Sequence, residues 1–451
     1  MSTNFIPTDR NTIYLLPPSV QDWLPEDHLA RFVVDIVSQL DLRSITGQYG
    51  GRGSKAYHPR MLLSLLFYGY ATGIFSSRKL EQATYDSVAF RFIAANNHPD
   101  HDTIAVFRKR FLSQLKPLFV QILIIAKEMG LMKVGKVSLD GTKIKANASK
   151  HRALSWGYAC KIEKQLQAEV DELMLLAQKA DSSDIPDEMN IPEELLRRQD
   201  RLEAIAEAKK KIEQRANERY SREVEEYEQK ITDRKAKAEK SGKKPRGREP
   251  KPPTAGPRDK DQANLTDEES RIMPSAKGFK QAYNAQAAVD LDTMCIITAH
   301  VTQSPNDKQE VVPTLEALDE LPKHLGKIDT LLADTGYFSE SNVDDCIEAE
   351  VAPLISTGRQ KHNQPLQERF TQPESLPDNA DSVEAMKYRL KTPDGRQLYA
   401  KRKSTVEPVF GIIKHVMGFR QFLLRGYEAV SGEWTLVSIA WNLKRMFALN
   451  G

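Results

Sequence analysis

The first part of the chain places apolar residues at the three- and four-residue spacing of amphipathic helices. Such runs extend from Asp27 to Leu40 and from Pro59 to Tyr70, and shorter ones follow near Ser76 and Asp102. Pro59 is well placed at the start of its helix, because proline fits the first helical position. We therefore predict an all-α N-terminal domain over residues 1–133.

From residue 134 onward, the pattern changes to short apolar runs of strand length. The predicted strands are Val134–Ala146, Tyr283–Asp290, Met294–Thr302, Ile328–Ala333 and Val351–Ser356. The second and third of them form an antiparallel pair around the turn Leu291-Asp292-Thr293. Asn306 and Ser339 are predicted to cap the intervening helices. This order predicts an α/β domain with a mixed sheet, built from residues 134–148 and 276–451.

A long charged insertion, residues 149–275, separates the two parts of this domain. Its apolar residues recur at steps of three, four and seven, which favours a long helix with a coiled-coil seam. These positions are Leu195, Leu202, Ile205, Ile212, Ala216, Tyr220, Val224, Tyr227 and Ile231. An earlier helix near Cys160–Lys179 would fold back on it through a turn at Asp181–Pro186. The basic stretch Arg234–Lys251 is predicted to be flexible, either contacting phosphates or serving as a solvated linker.

Composition changes this picture only slightly. A chain of 451 residues favours two or three domains, and its 40% apolar content is enough for packed cores. The net charge is only +3, so an argument for a nucleic-acid partner depends on local clusters. The longest apolar run, Met61–Ala71, is shorter than the roughly 18 residues that a membrane span needs. Three scattered cysteines fit a reduced cytoplasm, without disulfides or a zinc site.

One basic cluster, Arg108-Lys109-Arg110, lies on the predicted helix that begins near Asp102. Short helices with tight turns are typical of helix-turn-helix DNA-binding domains. We therefore predict that these three residues contact DNA. An ordinary helical bundle remains the alternative.

A second basic segment contains one acid. Seven Lys and Arg residues lie between Arg396 and Arg425, and Glu407 is the only carboxylate among them. A purely basic DNA-binding face would not need it, whereas a metal held against a phosphate would. Two further acids, Asp140 and Asp334, lie at the edges of predicted strands. Three such acids are typical of a two-metal site that cleaves phosphodiesters.

Each acid also fits an ordinary alternative. Asp140 before Gly-Thr fits a hairpin turn, Asp334 fits a helix cap, and Glu407 fits weak surface ion pairs. The acids that compete for the site by their position in the sequence are Asp290, Asp292, Asp307, Asp329 and Glu340. The order of Asp140, Asp334 and Glu407 relative to the predicted strands favours one site that these three acids share.

Four motifs carry a resemblance to a known family. They are Leu139–Lys143, Tyr283–Asp290, Ala333–Phe338, and Val406–Gly411 with Lys414 and Gly418–Arg420. With them, the chain resembles the DDE transposases of bacterial insertion sequences, in the subset with a Tyr-Arg-Glu-Lys signature. Tyr399 to Arg402 and Glu407 to Lys414 have the family spacing, but four residues instead of three separate Arg402 from Glu407. Either the extra residue is accommodated at the helix start, or Lys403 takes the basic role.

The resemblance implies an RNase H-like catalytic core with Asp140, Asp334 and Glu407 at one end of the sheet, where open α/β sheets bind ligands. It implies binding to terminal inverted repeats, followed by metal-dependent strand cleavage and strand transfer. The three acids would be catalytic and would hold two Mg²⁺ ions, with Mn²⁺ as a possible substitute. The DNA contacts assigned in this segment are Tyr399, Arg402, Lys403, Lys414 and Arg420.

The expected partner is double-stranded DNA, as transposon ends and as target. We predict a homodimer on DNA, no membrane association, and a cytoplasmic, nucleoid-associated location. Two other functions stay open: a domesticated, transposase-derived nuclease, and a non-catalytic DNA-binding protein built around the helical insertion. The last of these predicts that the three acids are scattered in space.

Overall fold

A computed structural model of the chain describes residues 19–49, 56–149, 152–179, 191–241, 249–275, 278–358, 375–376 and 380–451. These residues form a mixed α/β structure with a mixed sheet and many helices. Among the helices they form, none has the length and apolar content required to cross a membrane.

The N-terminal part is helical, as predicted. Its helices are α1 (Leu29–Gln39), α2 (Arg43–Thr46), α3 (Pro59–Thr72), α4 (Ser77–Asp86), α5 (Val88–Ile93), α6 (His101–Phe111) and α7 (Leu115–Glu128). The central helix is α3, in which every residue from Leu62 to Ala71 is buried. The helix α6 begins at His101, close to the predicted start near Asp102, and its cap is Asp100, which accepts the backbone N–H of Thr103.

The strands are β1 (Lys136–Lys145), β2 (Ala153–Ser155), β3 (Gln262–Asn264), β4 (Arg271–Ser275), β5 (Gly278–Asp290), β6 (Ile296–Thr302), β7 (Thr330–Ala333) and β8 (Ala352–Ile355). The main sheet has the order β4-β5-β1-β7-β8, and β6 also pairs with the long strand β5. β1 is antiparallel to β5 and parallel to β7, which is in turn parallel to β8. The strands predicted around Asp140, Asp290, Thr302, Asp334 and Ile355 are therefore confirmed.

The later helices are α10 (Val311–Asp319), α11 (Glu340–Glu348), α12 (Ser382–Lys391), α13 (Pro393–Ala400), α14 (Val406–His415) and α15 (Tyr427–Asn450). Asn306 caps a short 3-10 turn before α10, and Ser339 caps α11, as the sequence predicts. The sequence reasoning missed α15, which packs against β6 and also against α3 and α7.

The apolar core is continuous between the helical part and the sheet, because α15 lies between them. A buried polar contact crosses the same boundary: the Tyr70 hydroxyl donates to Glu433 Oε1 at 2.9 Å. Arg108 Nη1 in turn donates to the Tyr70 oxygen at 3.1 Å. The change from helices to strands falls between Glu128 and Lys136, close to the predicted domain boundary.

The insertion forms two long helices, α8 (Trp156–Lys179) and α9 (Ile191–Ser241), which pack on each other. They have a small apolar core of their own, separate from the main one. In the second half of the predicted seam, Tyr220, Val224 and Tyr227 are half-buried rather than buried. The predicted turn Asp181–Pro186 lies outside the described residues. So do residues 242–248 of the basic stretch, whereas the preceding residues, from Arg234 to Ser241, continue α9.

Candidate active site

Asp140 lies in the middle of β1, beside a gap in the sheet. β5 pairs with β1 along its length, but pairing with β7 ends at Ser138 and Leu332. One edge of β1 is therefore open next to Asp140, as far as the described strands extend. The Asp140 Oδ1 atom accepts the backbone N–H of Gly141 at 2.8 Å.

Asp334 follows directly after β7 and begins a 3-10 turn, Thr335–Tyr337. Its Oδ1 atom accepts the backbone N–H of Gly336 at 2.8 Å, as an N-cap does. Because β1 and β7 are parallel neighbours, Asp334 emerges at the edge of the sheet that carries Asp140. Asp334 therefore caps this turn, as the alternative prediction states, and also lies at the site.

Arg402 and Glu407 lie on either side of a helix break. After α13, a 3-10 turn covers Lys401–Ser404, and Thr405 has φ −115° and ψ −80° before α14 begins. Thr405 therefore interrupts the helical backbone between Arg402 and Glu407. Arg402 points inward with its side chain 8% exposed, whereas Lys403 is exposed.

The three predicted acids converge on the Arg402 guanidinium. Its Nη1 lies 3.1 Å from Glu407 Oε1, and its Nη2 lies 3.3 Å from Asp334 Oδ2 and 3.8 Å from Asp140 Oδ2. The three acids come from a strand, a turn and a helix that are far apart in sequence. The sequence prediction of a shared site is therefore consistent with the positions of all three.

The surroundings of Asp140 disfavour its charged form. Burial, with the charges of Asp334 and Asp307, raises its pKa to about 6, against the opposing effects of Arg402 and the Gly141 backbone N–H. Three carboxylates around one cation form an all-oxygen donor set of the kind that Mg²⁺ prefers. In the described part of the chain, however, no three Asp, Glu, His or Cys side chains are arranged to hold a metal ion. The guanidinium occupies the position between the acids.

Two family models match the chain. One is described as Transposase DDE domain and matches residues 246–443, and the other as Transposase domain (DUF772) and matches residues 18–110. Together they match well over half of the chain. The chain belongs to the DDE transposases. The predicted resemblance is thus confirmed at the level of the family. Comparisons with curated proteins and with solved structures gave no match.

In this transposase, the other residues of the predicted C-terminal segment surround the acids. The Tyr399 hydroxyl donates to the backbone oxygen of Ala333, next to Asp334, at 3.2 Å. The Lys414 ammonium contacts the Thr142 hydroxyl, two residues beyond Asp140. Burial and the nearby charge of Lys280 together lower the pKa of Lys414 to about 8, against the opposing effect of Asp140. Arg420 is exposed on the same side, donating to the backbone oxygen of Lys414 at 3.0 Å.

The predicted basic cluster of α6 is divided by the fold of the transposase. Lys109 and Arg110 are exposed. Arg108 is buried and donates to the Tyr70 hydroxyl and to the backbone oxygen of Phe75. Its predicted contact with DNA does not fit this position, because its guanidinium has no access to a phosphate there.

Sequence reasoning also missed a polar group beside the acids. Gln286 on β5 is fully buried, and Asp307 accepts a hydrogen bond from its amide at 2.8 Å. The only sequence signal was an alternation of polar Asn284 and Gln286 in an otherwise apolar strand. Asp307 stood among the competing acids, but its position at a helix start did not indicate these partners.

Proposed function

We propose that this chain is the transposase of a bacterial insertion sequence. It binds the terminal inverted repeats of the element and performs metal-dependent strand cleavage and strand transfer. The observation that carries the proposal is the convergence of Asp140, Asp334 and Glu407 on one buried guanidinium. Acids scattered over the surface would instead have favoured a non-catalytic DNA-binding protein.

The proposed catalytic part has an RNase H-like core. The strand order, with β1 central between antiparallel β5 and parallel β7, supports this assignment. The acids follow the expected order: one on the first strand, one after a parallel neighbour, and one on a late helix. Residues 1–133 would then contribute DNA binding and residues 149–275 a helical projection with a coiled-coil seam.

Asp140, Asp334 and Glu407 would hold the divalent ions, two Mg²⁺ or Mn²⁺ in their place. Bound metal would lower the pKa of the attacking water and offset the charge on the leaving oxygen. The Arg402 guanidinium, now between the acids, would be free to contact a phosphate oxygen. Arginine suits that role because its fork of donors matches the oxygens of a phosphate.

Both reaction steps can use the same site. In the first, a water oxygen attacks the phosphorus, the bond to the 3′ oxygen breaks, and that oxygen takes up a proton. In the second, the freed 3′-hydroxyl loses its proton and attacks a phosphorus of target DNA, where the bond to a second 3′ oxygen breaks. One phosphodiester is therefore exchanged for another, and no external energy source is needed.

The proposed DNA contacts are Tyr399, Arg402, Lys403, Lys414 and Arg420 in the C-terminal segment, together with Lys109 and Arg110 on α6. Lys414, with a pKa of about 8, is mostly charged at neutral pH and offers a point charge to a phosphate. We further propose a homodimer on DNA, because an element has two ends to be joined.

The test uses DNA from both sides of the coding region. The transposase should bind the matched end repeats and join a pre-cut end, through its 3′-hydroxyl, to a target plasmid in Mg²⁺. Asp334→Asn should bind the same ends without joining them, because affinity comes mainly from Lys and Arg contacts to phosphates. Cleavage without joining would favour the nuclease alternative, and binding without either reaction would favour a DNA-binding protein.

A further inference from the structure

A network of buried hydrogen bonds is centred on Asn284 and Gln286, two residues apart on β5. The Gln286 amide nitrogen donates to Asp307 Oδ1 at 2.8 Å, and the Gln286 carbonyl oxygen accepts the Tyr337 hydroxyl. Asn284 donates to the same Asp307 oxygen at 2.6 Å and to the backbone oxygen of Ser304 at 3.2 Å. The network thus connects β5, the loop after β6 and the turn after β7.

This network lies directly against the acid-bearing segments. In the sheet, Gly141 is paired with Gln286, and Gly141 is the residue after Asp140. A Cβ atom at Gly141 would overlap with the Gln286 amide and would lie 2.8 Å from Asp307 Oδ1. The absence of a side chain at Gly141 therefore lets the network approach the strand that carries Asp140.

The backbone alone does not fix Asp334 relative to Asp140. The ladder between β1 and β7 ends at Ser138 and Leu332, two residues before each acid. Tyr337 closes the turn that Asp334 begins, and its hydroxyl bonds to Gln286 on β5. Since β5 is paired with β1 throughout this region, the bond ties the Asp334 turn to the strand of Asp140.

Asp307 determines which way the Gln286 amide points. An ionised carboxylate only accepts hydrogen bonds, so it selects the NH₂ end of the amide. The carbonyl end then faces Tyr337 and can accept its hydroxyl. If the amide were reversed, its oxygen would face the carboxylate, an acceptor opposite an acceptor, and the tyrosine hydroxyl would have to accept rather than donate. Asn284 fixes the carboxylate in turn, so each member of the network has a defined donor or acceptor role.

We propose that Gln286 is a positioning residue of the transposase site. Oriented by Asp307, it holds the Asp334 turn through Tyr337 at a fixed place beside Asp140. This inference rests on the proposed function, because the geometry it maintains is that of the three acids. Partners that orient ligating carboxylates typically contribute about 10–100-fold to activity or metal affinity.

The test compares two buried tyrosines, Tyr337 in the turn after β7 and Tyr283 on β5. Tyr337→Phe removes only the hydroxyl that binds Gln286. Tyr283→Phe is the matched control, since Tyr283 is also buried and its hydroxyl donates to a carboxylate, Asp267, at 2.9 Å. We expect the first variant to cleave about 10–100-fold more slowly, to bind DNA ends like wild type and to need more Mg²⁺ for half-maximal rate. The control should lose comparable thermal stability but keep its cleavage rate.

A second variant checks that the effect passes through the glutamine. Gln286→Met keeps the size of the side chain but removes both contacts. It should slow cleavage as Tyr337→Phe does, and the double variant should be no slower than the slower single one, because both changes break the same connection. Wild-type cleavage in Tyr337→Phe and Gln286→Met would overturn the positioning role alone. Equal losses in both tyrosine variants would indicate a purely structural role, and a wild type that cannot cleave would overturn the proposed function together with this inference.

Discussion

At the scale of single residues, the site places one arginine among three carboxylates. Arg402 is almost completely buried among three carboxylates, and its Nε atom has no hydrogen-bond partner among the described residues. Burying a charge is unfavourable unless it is paired, so the acids and the guanidinium stabilise each other's charged forms. The charge of Asp140 is incompletely compensated, as its raised pKa indicates.

A lysine at position 402 should not replace the arginine. Lysine keeps the charge but lacks the planar fork, so it cannot contact all three carboxylates together. We expect Arg402→Lys to slow Mg²⁺-dependent end cleavage by about 10²-fold while binding to the ends is retained. Lys401→Ala serves as the neighbouring control and should cleave like wild type, because Lys401 is exposed and pairs with Asp292 rather than with the three acids. Wild-type cleavage in Arg402→Lys together with loss of cleavage in Lys403→Ala would mean that Lys403 takes the basic role.

The pKa of Asp140 predicts a pH-dependent stability. Its value is about 6 in the folded protein and 3.8 as a free side chain, so the folded form binds more protons between these limits. The free energy of unfolding therefore falls as pH rises through this window, and the full cost is present above pH 6. In metal-free buffer, Asp140→Asn should be more stable than wild type at pH 7.5, by up to about 3 kcal/mol.

Urea unfolding with EDTA present measures this difference. The difference in unfolding free energy between Asp140→Asn and wild type should become small as the pH falls to about 4. At that pH, Asp140 is protonated in the folded wild type and is as uncharged as the asparagine. A wild type that is more stable than the variant at pH 7.5 would show that Arg402 compensates the charge fully.

At the scale of elements, the sequence predicts the strands that carry the acids, because an apolar run of strand length leads to each of Asp140 and Asp334. It also predicts the two helices of the insertion from their periodic apolar residues. The short strands β2, β3 and β4 were not predictable, because three to five residues in a charged region show no clear period. The buried position of Arg108 and the partners of Asp307 depend on tertiary packing, which no local pattern encodes.

The insertion should be removable as a unit. Residues 156–261 of the insertion lie between the paired Ser155 and Gln262, so an Asn-Gly turn joining these two residues would close β2 and β3 into a hairpin. We expect the shortened chain to remain soluble and to unfold in a single transition, because the apolar core that α8 and α9 share with β2 and β3 is separate from the main one. Removal of Tyr427–Asn450 is the contrasting variant and should abolish folding. Loss of structure on removing the insertion would show that it is part of the main core.

At the scale of the whole molecule, the helical N-terminal part and the sheet share one core. The buried contact between Tyr70 and Glu433 crosses from α3 to α15. The second oxygen of Glu433 accepts the backbone N–H groups of Leu423 and Leu424, in the segment that follows α14. Through Arg108 and Tyr70, the helix that carries Lys109 and Arg110 is therefore connected by hydrogen bonds to the segment that follows α14.

This coupling predicts cooperative unfolding. Tyr70→Phe leaves the buried Glu433 without its side-chain donor, which should cost about 1–3 kcal/mol of the free energy of unfolding. Helical signal and tryptophan fluorescence should nevertheless report one urea transition, at a lower midpoint than in wild type. Two separate transitions in the wild type would show that the N-terminal helices fold independently of the sheet.

The central claim is that Asp140, Asp334 and Glu407 form one metal-dependent catalytic centre. The most direct measurement is Mg²⁺-dependent cleavage of a duplex carrying the element's end, with binding measured on the same DNA. Asp140→Asn, Asp334→Asn and Glu407→Gln should each cleave at least about 10²–10³-fold more slowly and still bind. Asp329→Asn, an exposed acid at the other end of β7, should cleave like wild type. Retained Mg²⁺-dependent cleavage in any of the first three would contradict the account.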